Sequence, residues 1–225
     1  MNLHKCISAC LVSSKFGCED TESITSFKDL KKNTLQLDIF KDTRFVALCF
    51  VTFNIGICEM IYFLEAIPLA RESSIGHLDS TFIMTIFTAG SIICRFIQCV
   101  LPGKSTRFLL NLFVFSQCIE AVSFYMLSLA RGYWAFAVAS FIHGTGAGLQ
   151  WSLLYYFSAK LFNLRKSTVA VAWCATIAGI AETTGAIQNL VKKESYRIDF
   201  EVGAVFETLS LIPCIYVWKT YTDSP

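Results

Sequence analysis

Seven ionisable side chains lie inside long apolar stretches of this 225-residue chain: Glu59, Glu65, Arg95, Glu120, His143, Glu182 and Glu207. Such groups are costly in a lipid core and are usually kept where they face protein or water. The guanidinium of Arg95 can clamp a carboxylate through two parallel hydrogen bonds, and a partly dehydrated site strengthens that pairing. The candidate solute-binding group is therefore Arg95, with Glu59, Tyr62, Ser91 and His143 around it. Glu120 and Glu182 are candidate proton-coupling groups, a role that fits a deep carboxyl as well as an inert buried acid does. Glu65 and Glu207 fall near the outer ends of their stretches and are expected to reach water.

The second apolar stretch carries the sharpest pattern. Its polar residues are Thr81, Thr85, Thr88, Ser91, Arg95 and Gln98. At 100° per residue they fill one arc of about 140°. A helix with such a stripe either lines a wet cavity or bonds across to a neighbouring helix through Thr and Ser. Arg95 favours the cavity, because a guanidinium needs a partner. In the first stretch Cys58, Glu59, Tyr62 and Glu65 share one side, so Arg95 can pair with Glu59 or with Glu120.

The fourth stretch contains His143-Gly144-Thr145-Gly146-Ala147-Gly148. Gly144 and Gly148 are spaced for close helix packing, and dimerisation through them is conceivable. A dinucleotide fingerprint is excluded, because Leu149 stands where it needs glycine and no strand precedes it. His143 fits a cavity-lining residue and a packed polar residue equally well. The 10 cysteines form no C-x-x-C pair, and their spacing to the histidines suits no zinc site. They read as small apolar fillers, and neither a metal nor a cofactor is expected.

The elements that must carry these residues follow from composition. The chain is 54% hydrophobic and only 16% charged, with a mean hydropathy of +0.53. A soluble domain is nearer 25% charged. The composition excludes a disordered chain, a coiled coil, a nucleic-acid partner and most soluble enzymes, and makes a lipid bilayer the solvent. Six apolar stretches follow a polar tail of residues 1–43: 45–70, 81–101, 108–129, 133–157, 167–191 and 202–218. Crossing takes about 20 apolar residues, so the last is barely long enough. Backbone groups in lipid must bond internally, which makes the stretches helices. The expected architecture is all-α: a cytosolic tail with a helical piece near residues 30–40, a six-helix transmembrane bundle over 44–220, and a cytosolic end at 221–225. With the tail inside, 13 of the lysines and arginines are cytosolic and 5 are outside. The positive-inside rule then places both termini in the cytosol.

Several segments resemble one transporter family in their order and spacing. Phe40-Lys41-Asp42-Thr43-Arg44-Phe45 resembles the stretch that opens the seventh helix of monocarboxylate transporters, within the major facilitator superfamily. Ile61-Tyr62-Phe63-Leu64 fits the same helix. Arg95 matches an arginine late in the eighth. Tyr133-Trp134-Ala135, Leu161-Phe162 with its basic turn, and Gly185 match later positions. The resemblance covers residue 40 to about residue 219. It implies one half of a twelve-helix fold, with solute held between two halves and access alternating. In the family an aspartate precedes that arginine by one turn, where this chain has Ser91. Gly-Pro-Pro in the eleventh helix is here Gly185-Ala186-Ile187.

The function these readings favour is transport of a small organic anion or related solute, at the plasma membrane. The partners are the bilayer, the solute, and a missing N-terminal half or a second copy. The alternative is a transport-inactive bundle that escorts or regulates a partner. An enzyme is not expected: the three histidines are scattered and form no metalloprotease motif.

Overall fold

In the computed structural model the described residues are 37–99, 105–160, 162, 164–189 and 195–222. They form a short 3-10 turn, Leu37–Lys41, and six long helices: α1 Thr43–Glu72, α2 His77–Cys99, α3 Thr106–Leu129, α4 Tyr133–Lys160, α5 Leu164–Asn189 and α6 Tyr196–Thr222. No strand occurs among the described residues. Residues 1–36 lie outside them, so of the helical piece expected near 30–40 only the turn at Leu37–Lys41 is described.

The Phe40–Phe45 motif is the start of α1. Asp42 caps the helix, accepting from the Arg44 amide at 2.9 Å, and its two carboxylate oxygens also accept from Nε and Nη2 of Arg44 at 3.0 and 2.7 Å. An acceptor at this position satisfies one of the amides that a helix start leaves open. Phe40 and Phe45 meet edge to face at 5.3 Å. Phe45 meets Phe162 at 5.4 Å, and Phe40 meets Trp173 of α5 at 5.2 Å. The motif thus ties the entry of α1 to α5.

Five of the helices are long and apolar enough to cross a membrane: Thr43–Glu72, His77–Gln98, Thr106–Leu129, Lys166–Ile187 and Tyr196–Tyr221. The fourth expected span is α4, 28 residues long but too polar to count among them. Its glycines, serines, His143 and Gln150 are mostly buried against neighbouring helices. A helix enclosed by protein need not be apolar all round. The outer faces of the bundle are apolar, with Phe82, Ile93, Phe96 and Ile97 of α2 exposed. An exposed apolar surface of this extent would be a liability in water and is what lipid covers.

Two helices extend well past the acidic residues expected near their watery ends. α6 begins at Tyr196, six residues before residue 202, with Asp199 in its first turn, where a carboxylate favours the positive end of the helix. α1 runs to Glu72, two turns beyond Glu65. These extensions correct the expectation for Glu65 and Glu207. Both are 1% exposed, inside the bundle rather than at its watery ends.

Glycines set the helix spacing. A methyl on Gly144 would collide with the Phe87 carbonyl of α2, and one on Gly148 would lie 2.6 Å from the Ser91 carbonyl oxygen. From the other side, a methyl on Gly90 would lie 2.7 Å from the Phe141 carbonyl oxygen. Gly144 and Gly148 are therefore spent on the α2–α4 crossing inside the bundle. That corrects the idea that they dimerise the chain. Gly132, at φ +82°, provides the backbone reversal between α3 and α4.

A candidate solute cavity and a separate buried polar cluster

Four helices line one cavity of about 310 Å³. Its residues are Glu59 of α1, Arg95 of α2, Trp151, Ser152 and Tyr155 of α4, and Glu182 of α5. Each arrives by helical register. Arg95 is exposed on the flank of α2 beside its packed face, where Phe87, Ser91 and Cys94 are buried. Trp151 and Tyr155 are four apart on α4, so their rings lie one above the other, centroids 5.9 Å apart and tilted by 29°. The indole N–H of Trp151 donates to Oε2 of Glu59, which fixes that carboxyl at the wall.

Arg95 and Glu182 have no such partner among the described residues. The ion pairs among the described residues are Lys41–Asp38, Arg44–Asp42 and His143–Glu120. No hydrogen bond between described residues ties the side chain of Arg95 or Glu182. Of the two pairings open to Arg95 from sequence, the structure forms neither. Glu59 shares its cavity, and Glu120 is bonded elsewhere.

The remaining expected solute-binding residues are not in this cavity. Tyr62 is fully buried, its ring 4.4 Å from the imidazole of His143 and 4.7 Å from Phe87. It lies three residues from Glu59, a rotation of about 60° on the helix, which turns it into the core. Ser91 lies beneath Gly148 at the α2–α4 crossing. His143 is 2% exposed and boxed in by Tyr62, Phe87 and Phe124. Tyr62, Ser91 and His143 are thus packed between helices, away from the residues that line this cavity.

The stripe on α2 divides in the same way. Thr81 and Thr88 are exposed and donate to their own helix, to the carbonyls of His77 and Met84. Gln98 reaches across to the Leu149 carbonyl at 2.8 Å. Only Arg95 of the stripe lines the cavity.

His143 belongs to a second constellation. Its Nδ1 lies 2.5 Å from Oε2 of Glu120 and 3.1 Å from the Ser123 hydroxyl. Gly146, on the next turn of α4, leaves room for the acid: a methyl there would sit 2.5 Å from Oε1 of Glu120. Nearby on α3, Gln117 donates to the Glu207 carboxylate of α6 and accepts from Nε2 of Gln150 at 2.6 Å. Cys58 of α1 points at the Gly203 carbonyl, 3.7 Å away. The cluster holds two carboxyls and an imidazole, and no lysine or arginine is bonded to it among the described residues. Bonds to one another hold most of these buried groups, while Oε1 of Glu120 and Nε2 of His143 have no hydrogen-bond partner among the described residues.

Sequence reasoning singled out Arg95, Glu59 and Glu182, which the cavity brings together. It missed Trp151, Ser152 and Tyr155. The available signal was two amphipathic aromatics at i and i+4, the first of them three residues past Gly148. No group of three or more potential metal ligands occurs among the described residues.

The sequence profile described as the Major Facilitator Superfamily matches residues 19–222 of the chain. A search of curated proteins gives no match.

Proposed function

The chain belongs to the major facilitator superfamily, and on that premise we propose that it carries a small solute bearing a carboxylate, in the manner of the monocarboxylate transporters its sequence resembles. It is an integral membrane protein of a transporter superfamily, and its six helices fit one half of that fold. Arg95 is the observation that carries the reading. Among the described residues its guanidinium has no hydrogen-bond or ion-pair partner, and it faces a cavity of about 310 Å³ between four helices. A fixed cation in such a site selects carboxylates by two-point geometry as well as by charge.

In this reading Glu59, held by Trp151, shapes the wall, and alternating access exposes the cavity to either side in turn. The unit that closes the cavity is an N-terminal six-helix half or a second copy. Proton coupling falls to the Glu120–His143 pair rather than to the cavity. The groups around that pair are Ser123 of α3, Tyr62 and Cys58 of α1, and Glu207 of α6. The site is at the plasma membrane with both termini cytosolic, and the chain moves its solute without chemical change.

Uptake of radiolabelled carboxylates by the purified chain in liposomes tests the reading. Arg95→Lys and Arg95→Ala are expected to remove saturable uptake. Unchanged rate and affinity in both variants would sink it. A second reading, an inactive escort of a partner protein, draws on Ser91. The residue at the family's aspartate position is a small hydroxyl packed under Gly148. Saturable uptake by the wild-type chain would end that alternative.

A further inference from the structure

The cavity carries more charge than a simple carboxylate needs. Three helices each point one ionisable side chain into it: Glu59, Arg95 and Glu182. Glu59 already accepts from the Trp151 indole. Glu182 is half-buried and has neither a hydrogen bond nor an ion pair among the described residues. One turn earlier on α5, Gly179 is exposed, and a side chain there would begin in open space. The approach to Glu182 is therefore open.

A solute with only a carboxylate would satisfy Arg95 and leave the Glu59 and Glu182 carboxyls of the same cavity without a cationic group on the solute. An ammonium on the same solute supplies that group. It would also lie near the paired faces of Trp151 and Tyr155, and aromatic faces attract cations. The cavity is open on one side, and its volume of about 310 Å³ has room for a molecule of amino-acid size.

We propose that the solute is a zwitterion of the α-amino-acid type. Its carboxylate sits on Arg95, its ammonium on Glu182 with Glu59 as the second acceptor, and its side chain lies against Trp151 and Tyr155. This rests on the reading of Arg95 as a carboxylate anchor and adds the opposite pole of the site. It also gives Glu182 a role in recognising the solute rather than in coupling to protons.

A matched set of probes separates the two poles. L-phenylalanine, 3-phenylpropionate and 2-phenylethylamine share one ring and differ in which charges they carry. Binding to the full chain in lipid nanodiscs is measured by calorimetry. The set leucine, 4-methylpentanoate and isoamylamine is run beside it to allow for side-chain preference. In the favoured set the amino acid is expected to bind about tenfold or more tighter than either single-charge analogue, the scale of one charge-assisted contact. Glu182→Gln should shrink its advantage over the carboxylate to within about twofold, and Arg95→Gln its advantage over the amine likewise. A carboxylate that binds as tightly as its amino acid in the wild-type chain would overturn the zwitterion while leaving Arg95 as an anchor. An amine that binds tightest, with no loss of any binding in Arg95→Gln, would overturn both. Failure of both amino acids to saturate the site also overturns the proposal.

Discussion

Trp151 and Glu59 are joined by a single N–H donor, and that bond is what holds the carboxyl at the cavity wall. Trp151→Phe keeps a ring in place and removes the donor. It is expected to weaken solute binding by roughly tenfold, since a hydrogen bond to a charged group contributes about 1.5–3 kcal/mol. Calorimetric titration of the variant checks this. Arg95, Glu59 and Glu182 were legible in the sequence because a charge inside an apolar run is costly enough to need a reason. Tyr62, Ser91 and His143 lie off this cavity for a geometric reason. Neighbouring positions on a helix differ by 100°, and sequence alone does not say where the packed face ends and the open flank begins. Trp151 and Tyr155 were passed over because aromatic residues in a span are ordinarily packing. Only the partner across the gap, Glu59, distinguishes them.

Helix contacts decide how the cavity walls are held. The α2–α4 crossing brings backbone against backbone through Gly90, Gly144 and Gly148. Gly144→Ala and Gly148→Ala each add a methyl where a carbonyl already sits. Overpacking of this kind costs about 1–3 kcal/mol, so thermal unfolding in detergent should shift downward for both. Because Arg95 rides on α2 and Trp151 on α4, solute affinity should fall with stability.

At the head of α1, Asp42→Ala removes the cap and is expected to cost about 1 kcal/mol. The Arg44 guanidinium, hydrogen-bonded to Asp42, holds its carboxyl below the usual carboxylate range. A carboxyl depressed in the folded state stabilises it above the ordinary carboxylate pKa. That stability is lost as the pH falls through the depressed value. The wild-type chain should lose this increment in acid, and Asp42→Ala should show a flatter acid limb in the same melting experiment. The glycine spacing was visible in the sequence. Its destination was not, because the same spacing serves a crossing within one bundle or between two chains.

The described residues form a helical bundle whose outer faces are apolar and which carries two separate polar sites. One opens to solvent around Arg95, and the other is enclosed around Glu120 and His143. Number, order and approximate length of the helices could be read from hydropathy, because lipid imposes length and internal hydrogen bonding on any span. The start of α6 could not, since a polar first turn looks like loop. The excess of lysine and arginine in alternate loops predicts that the turn between α1 and α2 is extracellular. In a cysteine-free background, Ser74→Cys should react with a membrane-impermeant maleimide added to intact cells, and a cysteine introduced at Lys219 should not. The reverse pattern would invert the orientation.

The central claim is that Arg95 anchors a solute carboxylate in the cavity beside Trp151. The direct measurement is the emission of Trp151 in a chain whose other tryptophans, Trp134, Trp173 and Trp218, are replaced by phenylalanine. Titration with 3-phenylpropionate and L-phenylalanine in nanodiscs should give a saturable change whose midpoint Arg95→Gln moves about tenfold or more to higher concentration. An Arg95→Gln curve that overlays the parent would contradict the account.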